Sequence, residues 1–243
     1  MKTMNLKKLI LTKNNCYKAA KRITPKGIMV HSTGANNPWL KRYLPDDGKI
    51  GVNQYNNHWD TPLPGGNQVC VHGFIGKLAD GSVATYQTLP WYYRGWHAGG
   101  SANNTHIGFE ICEDGLTDSV YFNKVYTEAV ELCAHLCKQY SLTERDIICH
   151  SEGYKKGIAS NHADVMHWFS RFGKTMDDFR ADVKKLLNPE ATKELTSVND
   201  IVWELAHRGI ITNKELWLKK LEEDVNSYWL ARKTVKYLQD KKI

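Results

Sequence analysis

Apolar residues recur along this chain with two periods, one of two residues and one near 3.6, and each period marks a kind of element. "GIMVH" (27–31) is a short apolar run entering a polar Gly/Asn loop, as a strand does when it delivers its last residue to a site. "QVCVHGFIG" (68–76) and "VATYQT" (83–88) flank "KLADGS", whose Asp80-Gly81 pair signals a turn, so a hairpin is predicted. In "HIGFEIC" (106–112), Ile107, Phe109 and Ile111 face one way, while His106, Gly108, Glu110 and Cys112 face the other. "DIICH" (146–150) reads as a further buried strand, ending in a histidine.

The helical period appears from Val125 to Tyr140, where Val125, Ala129, Leu132, Cys133, Leu136, Cys137 and Tyr140 form one stripe that packs on the sheet. Thr175 and Asp178 make a helix-start pair, and Pro189 stops that helix. The stop sets a boundary between a domain over 1–188 and a module over 189–243. In the module, Ser197 to Arg208 is helical and followed by Gly209, Thr212 and Glu215 form a capping-box signature, and a last helix spans about Ser227 to Tyr237. Trp203, Trp217, Trp229 and Tyr237 are predicted to share its small core.

Composition narrows the class. The chain has 243 residues, 42% of them hydrophobic and 24% charged, the balance of a folded globular protein. No stretch approaches the roughly 18–20 apolar residues that span a bilayer. The first residues, "MKTMNLKKLILTKNN", carry an apolar run too short for a secretory signal, so synthesis in the cytoplasm and delivery by some other route are expected. The net charge of +7 points to an anionic partner or to a solvated basic surface, and the first 30 residues hold eight Lys or Arg and no acid. Zinc-finger spacing, an RNA-recognition motif and a basic recognition helix are all missing, which argues against nucleic acid. The six cysteines form no C-x-x-C pair and lie mostly in apolar runs, so reduced, buried thiols are expected.

Two predicted strands end in histidine, His31 and His150. Strand ends projecting from one sheet edge are rigid places to hold imidazoles at metal distance, and a third ligand would complete a catalytic zinc site with an open position. His162 and Asp164 are the candidates for that third ligand.

"MVHSTG", "RGWHAGG", "HIGFEIC" and the histidine-plus-carboxylate segment "HSEGYKKGIASNHADVMHWF" together resemble the zinc-dependent N-acetylmuramoyl-L-alanine amidases, the group that includes phage endolysins and peptidoglycan recognition proteins. The resemblance spans roughly residues 25–187, in the family's motif order. It implies an α/β fold with a central mixed β-sheet flanked by helices, followed here by a small all-helical module for which cell-wall targeting is the expectation. It implies zinc as cofactor, bacterial cell-wall peptidoglycan as substrate, no nucleic-acid or membrane partner, and release to the wall through a holin-type pore; the oligomeric state is left open. Carried over by position, His31 and His150 are zinc ligands. The family's third ligand is a Cys or Asp some 8–10 residues after the second histidine and followed by proline, whereas Asp164 lies fourteen residues on and precedes Val165. Asp164 is chosen over His162, which then stands where relatives place a lysine that steadies the reacting oxygen. Glu110 matches the family's general base. Trp96, His97 and His72 stand as substrate contacts, with structural hydrogen bonding or loop packing as the alternative for each. A binding module that keeps the fold without hydrolysis remains the rival reading.

Overall fold

The computed structural model describes residues 4–62, 69–188 and 197–241, and divides into two compact units, 1–187 and 188–243. In the first, β1 (Leu6–Lys8), β2 (Gly27–Ser32), β3 (Gly73–Lys77), β4 (Val83–Gln87), β5 (His106–Ile111) and β6 (Ile147–Cys149) form one sheet in the order β1-β4-β3-β5-β2-β6. Neighbours run parallel except β3 and β4, so the sheet is mixed. The predicted hairpin is that antiparallel pair, and Gly81 supplies the positive φ (+81°) its turn requires. Its first strand starts at Gly73 rather than 68, because Cys70 exchanges backbone hydrogen bonds with Trp96 instead; Gln68 lies outside the described residues.

Alternation sorts the strand residues onto two faces. Ile28, Val30, Ile107, Phe109 and Ile111 point to a core shared with α2 (Ser119–Tyr140) and α5 (Met176–Leu187), including Phe122, Leu132, Leu136 and Phe179. Each such side chain contributes about 1.5–3 kcal/mol by leaving water. Helix α2 starts six residues before the predicted Val125, since Asp118 caps it by accepting from the Val120 and Tyr121 N–H groups. Thr175 and Asp178 cap α5 reciprocally, as predicted; Pro189 lies outside the described residues.

Strand β6 is an edge, and side chains close it. Arg180 Nη1 donates to the Ile147 carbonyl at 3.0 Å, the Cys149 N–H donates to Glu152 Oε2 at 3.1 Å, and the two side chains bridge each other. Unpaired edge groups are thereby satisfied. None of the six cysteines is in a disulfide, and all are buried. Among the described residues no helix is long and apolar enough to cross a membrane.

The second unit contains α6 (Val198–His207), α7 (Lys214–Glu223) and α8 (Val225–Lys241). Its core departs from prediction: Ile201, Val202, Leu205, Ile211, Leu221, Ala231 and Val235 fill it, while Trp203, Trp229 and Tyr237 are 63%, 50% and 59% exposed. The aliphatic face of each helix turns inward, and the outward rings take cations instead, Lys214 over Trp203 and Arg232 over Trp229. Of the four aromatics only Trp217 packs partly on the core. Asn213, not Thr212, caps α7, accepting from the Leu216 N–H.

Candidate metal centre and groove

Met29 and His31 occupy the face of β2 opposite α2, where alternation puts them. His150 is not the end of a strand: β6 stops at Cys149, and His150 opens helix α3 (His150–Lys155). Glu152, three residues into the turn, takes the Cys149 N–H and so converts strand into helix at that point. Cys149 itself packs in the helix-side core, away from the site. Asp164 comes from the loop before α4 (Met166–Phe169), a loop folded back on α3 by the Ser151 N–H bond to the Asp164 carbonyl.

These three side chains meet. His31 Nδ1 lies 3.1 Å from His150 Nδ1 and 3.1 Å from Asp164 Oδ2, and His150 Nδ1 lies 3.5 Å from Asp164 Oδ1. Ligand atoms set at about 2.0–2.1 Å on a tetrahedral zinc are about 3.3 Å from each other. The triangle has that size, and all three residues are buried. Two nitrogens and one carboxylate oxygen form the donor set of a catalytic zinc site with one position to spare. His162 stands outside the triangle, its exposed ring stacked on His150 with centroids 4.6 Å apart.

Each of the two histidine rings has a partner on its far side. His31 Nε2 lies 2.9 Å from His97 Nδ1, and His97 Nε2 lies 3.2 Å from the His106 carbonyl oxygen. His150 Nε2 lies 3.2 Å from Ser160 Oγ, which donates to the Ala98 carbonyl. Burial pushes His31 below the usual histidine range against the pull of Asp164, and pushes His97 further down, with His31 adding to the effect. Burial by itself would raise the Asp164 carboxyl, but hydrogen bonds from His150 and His31 outweigh it and hold the acid well below its ordinary range.

The triad opens on a groove of about 440 Å³ that Glu110, His162 and His167 also line. Glu110 sits directly across from His31 in the β2–β5 register. Its Oε2 is buried without a hydrogen-bond partner, and burial, then the charges of Asp164 and Glu113, drive its carboxyl well above the usual range. His167 Nε2 is 2.9 Å from Oε1 of the buried Glu113.

Of the three predicted substrate contacts, His97 lines the groove but stands behind His31. His72 is completely buried, with Nε2 on the Tyr93 carbonyl at 2.7 Å and Nδ1 accepting from the Gly108 N–H at 3.0 Å, the structural hydrogen bonding that was the alternative for it. Trp96 is exposed beside Arg94 and is not among the groove-lining residues. Ser160 and Glu113 were missed in the sequence, where a serine in a polar loop and an acid after a strand carry no distinguishing pattern.

A mixed sheet with helices on its apolar face and a His-His-Asp triangle on the other defines an amidase-like α/β domain. Residues 21–165 match the N-acetylmuramoyl-L-alanine amidase family, and the chain belongs to that family. Among solved structures, AmiA of Staphylococcus aureus, in complex with its ligand, is similar with a TM-score of 0.55 and 19% identity over 79% of this chain and 88% of that one. PlyL is similar with a TM-score of 0.51 and 20% identity over 76% and 98%, and a mutant endolysin from Bacillus subtilis with a TM-score of 0.50 and 22% identity over 74% and 99%. These likenesses carry the fold. None of the curated proteins matches the chain.

Proposed function

We propose that the chain is a zinc-dependent amidase that acts as a phage or prophage endolysin, cleaving the bond between N-acetylmuramic acid and the L-alanine of the peptidoglycan stem. The observation that carries the reading is the convergence of His31, His150 and Asp164 beside the unpartnered carboxylate of Glu110. A zinc ion held by the three ligands supplies Lewis-acid polarisation of the amide carbonyl and lowers the pKa of a water to about 7. Glu110, a buried carboxylate with raised proton affinity, takes the proton of the attacking water and passes it to the departing amine. His162, exposed at the groove, donates a hydrogen bond to the tetrahedral oxygen. The helical unit recognises the wall through its exposed aromatics, and the protein reaches its substrate through a pore made by a partner.

Membership of an amidase family, together with the meeting of His31, His150 and Asp164 beside the buried carboxylate of Glu110, favours turnover over mere binding. The test is digestion of purified cell wall, followed as newly released N-terminal alanine, with and without a chelator. Chelator-sensitive release is expected. Wall binding without release would favour the non-catalytic reading, and release that a chelator leaves untouched would remove the role of zinc.

A further inference from the structure

We infer that His97 is a positioning residue for the metal centre, one that fixes which nitrogen of His31 is free to bind, and that Gly108 is the slot that lets it do so. The inference rests on reading His31, His150 and Asp164 as metal ligands.

A neutral imidazole has one N–H donor and one lone-pair acceptor. His97 Nε2 faces the His106 carbonyl oxygen, which only accepts, so the proton of His97 is on Nε2 and its lone pair is on Nδ1. That lone pair faces His31 Nε2 at 2.9 Å, so His31 donates from Nε2. His31 Nδ1, the atom 3.1 Å from both His150 Nδ1 and Asp164 Oδ2, is then the nitrogen whose lone pair a cation seated among the three side chains would take in place of a proton. A backbone carbonyl thus sets the tautomer of a ligand one ring away. Outer partners of this kind typically change metal affinity by about 10–100-fold.

The packing around His97 serves that placement. A Cβ at position 108 would lie 2.3 Å from His97 Nδ1, and one at position 95 would lie 3.0 Å from His97 Cδ2. Two glycines therefore clear the space the ring occupies. Asn103 Oδ1 accepts from the N–H groups of His97 and Ala98 at 2.9 and 2.8 Å, which holds the main chain. His72, pinned between Gly108 and Tyr93, fills the space behind, its ring 5.9 Å from that of His97. Ser160 does the same service for His150: its hydroxyl proton goes to the Ala98 carbonyl, so its oxygen accepts from His150 Nε2–H and Nδ1 is the nitrogen turned toward His31 and Asp164.

The experiment uses full-length protein with ¹⁵N-labelled histidine, loaded with one equivalent of zinc at mildly alkaline pH. Two-bond ¹H–¹⁵N spectra report which nitrogen of His31 carries the proton. The wild type is expected to show Nε2–H, and His97→Phe to lose that preference. Zinc affinity, read by competition with a chromogenic chelator, is expected to fall about 10–100-fold in His97→Phe. His97→Asn, whose side-chain oxygen stands at the δ position, should recover most of the affinity. Gly108→Ala should reproduce the Phe effect with His97 still present, and it carries the same two readouts if His97→Phe does not fold. A His31 that stays Nε2–H in the variants, or a zinc affinity unchanged by them, overturns the proposal. Wild-type protein that binds no zinc would instead overturn the metal reading on which the inference rests.

Discussion

Strands β2 and β5 have two faces that differ by a single step in the chain. On the helix side Ile28, Val30, Ile107, Phe109 and Ile111 are wholly buried among hydrocarbon, and what matters there is shape. On the groove side His31, Gly108 and Glu110 sit among other polar groups, and what matters is which atom faces which. A slip of one residue would exchange the faces, so the aliphatic row also holds the chemical residues in register. The two faces should fail in different ways when changed.

The largest expected effects fall on the groove side and on activity. Glu110→Gln removes the proton acceptor and should lower kcat about 10²–10⁴-fold. Thermal stability should hold or rise, because a neutral amide replaces a carboxylate whose charge burial opposes. A large fall in Tm together with the activity loss would make Glu110 a structural residue. Asp164→Ala should empty the site of zinc, while His162→Ala should keep about one zinc per chain and lose about 10²–10³ in kcat, as for a lost oxyanion donor. Metal analysis checks both, and a site emptied only by the histidine change would reverse the ligand assignment.

The helix side fails through stability. Phe109→Ala leaves a cavity in a fully buried site and should cost about 3–5 kcal/mol in denaturant unfolding. Folded molecules of the variant should still bind zinc at the wild-type stoichiometry. Loss of zinc from folded Phe109→Ala would show that the two faces are not separable.

What the sequence disclosed follows the same division. Strict alternation in "HIGFEIC" put Glu110 on the face away from the aliphatic row, and the Thr175–Asp178 pair and the Asp80-Gly81 turn are local chemistry that acts within a few residues. The start of α3 at His150 was hidden because β6 is only three residues long and the capping acid, Glu152, lies beyond the histidine. The bond between His97 and His31 was hidden because it joins positions 66 apart, and no spacing rule reports such a contact. In the second unit both faces of the helices carry apolar residues, so periodicity alone did not say that Trp203 and Trp229 face outward.

Acid separates the faces most finely, because protons act on the polar one alone. Burial lowers His72 to about 4, since the folded protein has no room to solvate its charge. In the unfolded chain the same side chain titrates near its ordinary 6.5. Below 6.5 the unfolded state therefore takes up a proton that the folded state refuses, and stability falls as the pH drops from about 6.5 toward 4. At about 1.4 kcal/mol per pH unit, the gap amounts to at most about 3.5 kcal/mol from this one residue. Unfolding measured in denaturant between pH 7 and 4.5 should show this slope in the wild type. His72→Gln should start lower at pH 7, because the bonds to Tyr93 and Gly108 are disturbed, and then decline less steeply. Parallel curves for the two proteins would mean that His72 takes its proton without unfolding, and that the groove side yields to water more readily than its burial implies.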